Sequence, residues 1–247
     1  QGGYANLNKI HQWNLNFVEE EYANKFSEIA DRINECLAFM KACGINDGNV
    51  RQINETEFFT SHEALLLDYE EALTRIDSTS GKWYDVSAHM LWVGDRTRFI
   101  NSAHIEFVAH IENPVGIKIG PTINIDDILV LCKKINPDNQ YGKISFITRL
   151  GINYIEDILP KLIELVQKNN LNILWLCDPM HGNTITTDKG IKTRNFDTIK
   201  KEIEMFFTIH NKYNTIPGGL HFELTGDSVT ECIGGIKNIK DDDLEEY

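Results

Sequence analysis

Lys118 stands in Gly116-Ile-Lys-Ile-Gly-Pro121, between two isoleucines of an apolar, strand-like run. A lysine there is costly to bury unpaired, so it demands an anion from the protein or from a ligand. Other cations recur at comparable places. Arg96 follows the run His89–Val93, Arg149 follows Ile144–Thr148, and Lys192 and Arg194 come after Ile173–Cys177. Any one of them equally well solvates or pairs with an acid. Together, at the ends of successive strands, they suit a small ligand with several negative charges, a phosphate ester or a carboxylate. His181, in Cys177-Asp-Pro-Met-His-Gly-Asn183, and Glu223, between Phe222 and Leu224, add a second chemistry. A carboxylate buried in a strand needs a cation, a metal or a proton. One imidazole and one carboxylate on neighbouring strands make half a shell for a divalent metal, although two ligands are a weak signal and a lone His is more often structural. His221 alternates to the same face as Glu223. Trp92 reads as a core residue or as one wall of a pocket, with core the simpler reading.

The elements that must position these groups alternate along the chain. Short β-rich runs lie at Glu57–Ser61, His89–Val93, Gly116–Ile119, Ile144–Thr148, Ile173–Cys177 and Leu220–Leu224. Amphipathic helical stretches lie at Glu63–Ile76, Ile125–Lys134, Tyr154–Lys168 and Phe196–Lys212. This α/β alternation predicts a parallel sheet with helices outside it, and Ile173–Cys177 reads as a strand buried on both faces. A closed barrel and a doubly wound open sheet fit equally well, but no GxGxxG or GxxxxGK[ST] phosphate loop is present. Ahead of the alternation, Phe17, Tyr22, Phe26, Ile29, Ile33, Leu37 and Met40 fall at helical steps, and Gly44 sits where a cap would end the run. The expected organisation is a helical segment over 1–50 leading into an α/β domain over 51–247. The closing charge run Asp241–Glu246 reads as a solvated tail.

Composition excludes several classes. With 247 residues, 42% of them hydrophobic, the chain can bury a sizeable core. Its net charge of −13 argues against a sequence-independent grip on nucleic acid. A mean hydropathy of −0.30, with no apolar run of membrane length, argues against a membrane span. The five cysteines match neither a disulfide framework nor a CxxC zinc pattern, and no secretory leader opens the chain, which points to the cytoplasm.

Eight motifs then run in order along essentially the whole chain. They are Thr60-Ser-His-Glu-Ala-Leu-Leu-Leu67, Ser87-Ala-His-Met-Leu-Trp-Val-Gly-Asp-Arg-Thr-Arg98, Gly116–Pro121, Cys177-Asp-Pro-Met-His-Gly-Asn-Thr184, Lys192-Thr-Arg194, Pro217-Gly-Gly219, and His221-Phe-Glu-Leu-Thr-Gly226 with Val229-Thr-Glu-Cys-Ile-Gly-Gly235. This set resembles the class II 3-deoxy-D-arabino-heptulosonate 7-phosphate (DAHP) synthases. The resemblance implies a (β/α)8 TIM barrel, here about six of eight strands, and condensation of phosphoenolpyruvate with erythrose 4-phosphate on a divalent metal, manganese or cobalt. That reaction is the first step of the shikimate pathway, towards the aromatic amino acids. It also implies a homo-oligomer and a cytoplasmic location, or a plastid one if a transit peptide precedes the chain.

By resemblance, Arg96, Lys118 and Arg149 hold the phosphoenolpyruvate carboxylate and phosphate, with Lys118 and His181 at the reacting centre. Asp95 occupies a site that is often Glu in the family, and is carried over as substrate-binding with them. His181 and Glu223 match metal ligands, and Lys192 matches a position near the phosphosugar. The family's shell has two further ligands, an N-terminal Cys and an Asp in a Cys-Asp-Pro-Arg-Leu-Asn motif, and neither motif occurs here. The chain therefore reads as the central portion of such an enzyme. Two alternatives stand beside it: a non-catalytic, phosphate-binding fragment or paralogue, and a generic phosphosugar lyase or aldolase using Lys118 as a Schiff-base amine.

Overall fold

In a computed structural model, residues 6–12, 20–55, 58–224, 229–235 and 238–245 are described. They divide into two compact units, 1–59 and 60–247. In the first, helix α1 (Glu20–Ala42) opens with Glu20 and Glu21 and carries Lys41 in its last turn, charges that suit the helix dipole. Gly44, at φ +83°, ends it, and the Ile45 N–H reaches back to the Met40 carbonyl at 2.9 Å. Tyr22, Phe26, Ile33, Leu37 and Met40 are half-buried, whereas Ile29 is exposed. Phe17 lies outside the described residues.

The second unit is built on a six-stranded sheet of order β1-β4-β5-β6-β7-β10, parallel throughout. Its elements begin β1 (Ser61–Glu63), α2 (Leu67–Leu73), β2 (Thr74–Ile76), β3 (Trp83–Asp85), β4 (Met90–Val93), α3 (Ala103–Ala109) and β5 (Val115–Ile119). They continue with α4 (Ile125–Ile135), β6 (Ile144–Thr148), α5 (Ile155–Lys168), β7 (Ile173–Cys177), β8 (Thr184–Thr186), β9 (Lys192–Asn195), α6 (Phe196–Lys212), β10 (Pro217–Leu220) and β11 (Cys232–Ile233). β5 and β6 are buried along their whole length, as strands covered on both faces must be. Alternation sends Val115, Ile117, Ile119, Phe146, Trp175 and Cys177 into a core shared with the apolar stripes of α3 to α6. Lys118 and Trp92, out of phase with that set, belong to the opposite face. No helix among the described residues is long and apolar enough to cross a membrane.

Several expectations are corrected. The helix expected over Glu63–Ile76 shortens to α2, because the β-branched Thr74 and Ile76 pair antiparallel with β3. The turn between them is fixed by Asp77, whose carboxylate accepts from the Ser80 N–H and hydroxyl. Of the first expected strand, Glu57–Ser61, Glu57 lies outside the described residues, and the observed strand runs Ser61–Glu63. The last lies at Pro217–Leu220 rather than Leu220–Leu224, since Gly218 lets the chain pass where a Cβ would come within 2.7 Å of the Trp175 carbonyl. Helix α3, missed in the sequence, is capped by Ser102, whose hydroxyl accepts from the Ile105 N–H at 3.1 Å. The acidic tail is not wholly solvated: Asp241–Glu245 forms a 3-10 turn that buries Leu244.

Candidate active site

β5 delivers Lys118, 6% exposed, to a partner sixty positions on. Its Nζ bonds Asp178 Oδ2 at 2.5 Å, directly beyond the end of β7, and lies 5.7 Å from the centre of the Trp92 ring. Asp178 is itself fully buried, and every lone pair it offers is used. Oδ1 accepts from the Met180 and His181 N–H groups, both at 3.1 Å, and Oδ2 meets His181 Nδ1 at 2.7 Å. Burial alone would raise its pKa, but the His181 hydrogen bond and the Lys118 charge outweigh it and hold the carboxyl well below the usual range.

His181 is thereby oriented by Asp178, and its Nε2 faces Glu223 Oε1 at 3.1 Å. With Nδ1–H given to Asp178, Nε2 and the carboxylate are two acceptors in contact, which requires a cation, either a proton on the ring or a metal ion. A carboxylate that accepts the other ring N–H of a histidine is also what usually orients a metal-bound imidazole. The pair therefore fits one half of a divalent-metal site. Among the described residues no three His, Cys, Asp or Glu side chains are grouped to hold one. Cys177 adds nothing, since burial, then Glu202 and Asp178, push its thiol well up. Glu223 departs from its expected setting. It lies beyond β10, outside any strand, and its side chain is 60% exposed, so it is open to solvent as well as facing His181.

Arg149, following β6, stands between the two halves of the site. Nη1 reaches Asp95 Oδ2 at 3.3 Å, Nη2 donates to the His181 carbonyl at 3.0 Å, and buried Nε has no partner among the described residues. That unsatisfied donor fits an anionic ligand. The other oxygen of Asp95, Oδ1, accepts from Arg98 Nε–H at 2.8 Å and from the Gly120 N–H at 2.9 Å. Its carboxylate braces the guanidinium groups, and it would repel an anion rather than bind one. Arg96, one residue on, is exposed and engaged by no hydrogen bond or ion pair among the described residues.

Trp92 is a wall of this site as well as a packing residue. It is half-buried, and its ring meets His221 edge-on at 5.0 Å. Burial, then the Lys118 charge, lowers the His221 pKa from its ordinary value. Lys192 stands apart on the small sheet β11-β9-β8, exposed beside a cavity of about 490 Å³ lined also by Ile191, Arg194, Thr230, Glu231 and Leu244. Arg194 ties that sheet to the β7 loop through an Nε–H bond to the Met180 carbonyl at 3.1 Å. Lys118, Asp178, His181, Glu223, Arg149 and Asp95 thus form one bonded cluster at or beyond the C-terminal ends of β4, β5, β6, β7 and β10, and among the described residues no hydrogen bond or ion pair joins Lys192 to it.

The whole chain, residues 1–247, matches the model of the class-II DAHP synthetase family. The chain belongs to this family. A phospho-2-dehydro-3-deoxyheptonate aldolase of Streptomyces coelicolor is 46% identical over 246 residues, covering 99% of this chain and 54% of that protein. Phospho-2-dehydro-3-deoxyheptonate aldolase AroG of Mycolicibacterium smegmatis is 44% identical over 248 residues, covering 98% of this chain and 53% of its own length. The chain spans about half the length of these relatives.

Asp178 and Glu202 escaped the sequence reading. Asp178 was legible in principle, as the acid of a polar turn after an apolar strand. Glu202 lies in mid-helix, where Glu is ordinary. It is fully buried, and burial pushes its pKa up to about 7 despite hydrogen bonds from Gly151 and Asn183. A carboxyl raised from 4.5 to about 7 binds more protons folded than unfolded across that window. Its contribution is full below pH 4.5 and is lost as pH rises to about 7. Glu202→Gln, which does not titrate, should therefore gain on the wild type over that interval. Chemical denaturation at pH 4.5 and 7.5 checks this, and a constant difference would contradict it.

Proposed function

We propose that the protein containing this chain condenses phosphoenolpyruvate with erythrose 4-phosphate and water, giving DAHP and phosphate. The observation that carries this reading is the bonded cluster joining Arg149 and Lys118 to the His181–Glu223 pair. The six parallel strands are an arc of a (β/α)8 barrel over residues 51–247, whose active site lies at the C-terminal strand ends. The methylene carbon of phosphoenolpyruvate attacks the aldehyde carbon of the phosphosugar, whose oxygen gains a proton. Water then adds at the former enol carbon, and phosphate leaves with C–O cleavage, so atoms balance without an oxidant.

Arg149 and Arg96 bind the phosphate and carboxylate and offset their mutual repulsion. Lys118 adds a charge fixed by Asp178, and Trp92 walls one side from water. His181 and Glu223 would hold a divalent metal, manganese or cobalt, which supplies Lewis-acid polarisation of the aldehyde when bound. Lys192 serves the phosphosugar from its separate cavity. A cytoplasmic or plastid homo-oligomer is the setting proposed.

Guanidinium forks match these anions in a way an ammonium cannot. Arg149→Lys and Arg96→Lys, each in the intact protein, should lower kcat/KM for phosphoenolpyruvate at least about tenfold, or about 1.4 kcal/mol. Near-normal kinetics in both would remove them from the site.

Binding without turnover is the second reading. The observation on its side is the direct His181–Glu223 contact at 3.1 Å, in which each group already has the other as a partner. Steady-state assay of the intact protein separates the two. Phosphoenolpyruvate loss that needs both erythrose 4-phosphate and a divalent metal, with one phosphate released per molecule consumed, supports the enzyme. Binding of phosphoenolpyruvate with no loss supports the alternative.

A further inference from the structure

Two loops carry the groups that would meet ligand. One runs Arg149-Leu-Gly-Ile152 after β6, and the other runs Asp178-Pro-Met-His-Gly-Asn183 after β7. They touch through backbone at Gly151 and Gly182, so closely that a Cβ on either would collide with the other. Asn183 stitches them further. Its Oδ1 accepts from the Ile152 N–H at 3.0 Å, and its Nδ2 donates to the Pro179 carbonyl at 2.7 Å.

Behind both loops sits one carboxylate, on the next helix, α6. Glu202 Oε1 accepts from the Gly151 N–H at 2.9 Å, and Oε2 accepts from Asn183 Nδ2 at 2.5 Å. Glu202 is 0% exposed, so it cannot reach a ligand, and among the described residues no lysine or arginine is hydrogen-bonded to it. Helix α6 is itself fixed at its start, where Asn195 Oδ1 accepts from the Asp197 and Thr198 N–H groups.

We propose that Glu202 is a positioning residue, a buried clamp that fixes the spacing between the Arg149 guanidinium and the His181 imidazole by holding both loops. A buried carboxylate without a cationic partner is expensive, and an amide or apolar residue would serve α6 packing better. What the carboxylate supplies is two acceptors on one rigid group, each taken by a donor from a different loop. The direct bond between the loops' functional residues, Arg149 Nη2 to the His181 carbonyl at 3.0 Å, depends on that spacing. The identity of the ligands rests on the proposed DAHP synthase reading, but the clamp does not.

The test is Glu202→Gln in the intact protein, which keeps the volume and the acceptor for Gly151 but sets an amide against Asn183. At pH 8, above the Glu202 pKa of about 7, hydrogen exchange should quicken at least about tenfold in both 149–152 and 180–184 together, since a charge-assisted bond is lost. The KM for phosphoenolpyruvate should rise by a similar factor in the folded enzyme, with the change in kcat smaller. If Glu202→Gln does not fold, Asn183→Ser removes the same strut from the other end and should give the same paired effect. Wild-type exchange in both loops together with wild-type KM would overturn the clamp. If the wild-type protein does not consume phosphoenolpyruvate, the substrate reading falls, and exchange alone then decides whether Glu202 couples the loops.

Discussion

Replacing Lys118 with Met should damage the protein twice, in stability and in turnover. The ammonium is bonded to Asp178 at 2.5 Å, and Asp178 is fully buried. Removing one partner leaves a buried charge supported only by His181 and two backbone N–H groups, a loss of about 3–5 kcal/mol. Neutralising both partners as Lys118→Met/Asp178→Asn should restore most of that stability. Turnover should not return. Without the cation at the phosphoenolpyruvate site, kcat/KM should stay down by about a thousandfold or more, about 4 kcal/mol. Thermal denaturation and steady-state kinetics on the two variants separate the roles. A double variant that regains activity along with stability would make Lys118 a structural ion-pair partner and nothing more.

Gly182→Ala should produce the second large effect, through the backbone. A Cβ there would strike the Gly151 amide and sit 2.9 Å from the Arg149 carbonyl, and neither is the end of a flexible side chain. The loops must part, at a cost of about 1–3 kcal/mol of overpacking. Parting them separates Arg149 from the His181 carbonyl, so kcat/KM should fall at least about tenfold. Gly142→Ala is the control. Its φ is +75° but its Cβ would meet nothing, so it should cost only the left-handed penalty, about 1–2 kcal/mol, with normal kinetics. Equal kinetics in the two variants would mean that the contact between the loops does not hold the site.

What could be read in the sequence was what local pattern determines. The runs Ile144–Thr148 and Ile173–Cys177 and the helix Phe196–Lys212 coincide with β6, β7 and α6, because the two strands are short, cleanly bounded apolar runs and the helix is amphipathic; Ile173–Cys177 is not buried on both faces as expected, since Leu174 is exposed. Lys118 stood out because its type conflicts with its surroundings. Its partner did not, since the bond to Asp178 spans sixty residues and exists only once β5 and β7 flank β6. Glu223 was misplaced for the reverse reason. Phe222 and Leu224 imitate a strand, but they stand 42% and 89% exposed, and the sheet takes the glycine-rich Pro217–Leu220 instead. Trp92 was divided between core and pocket because alternation assigns it a face without saying what covers that face. Glu202 left no local signal, for burial of a helical glutamate is decided by loops from two other β/α units.

The most direct measurement is a crystal structure of the intact protein with phosphoenolpyruvate and Mn2+. The phosphoenolpyruvate phosphate and carboxylate should lie within hydrogen-bond distance of Lys118, Arg149 and Arg96, with an acceptor now on Arg149 Nε. The metal should be held by His181 Nε2 and a Glu223 oxygen, the two atoms that now lie 3.1 Å apart. Phosphoenolpyruvate bound elsewhere, with Arg149 Nε still unpaired and no metal on His181 and Glu223, would contradict the account.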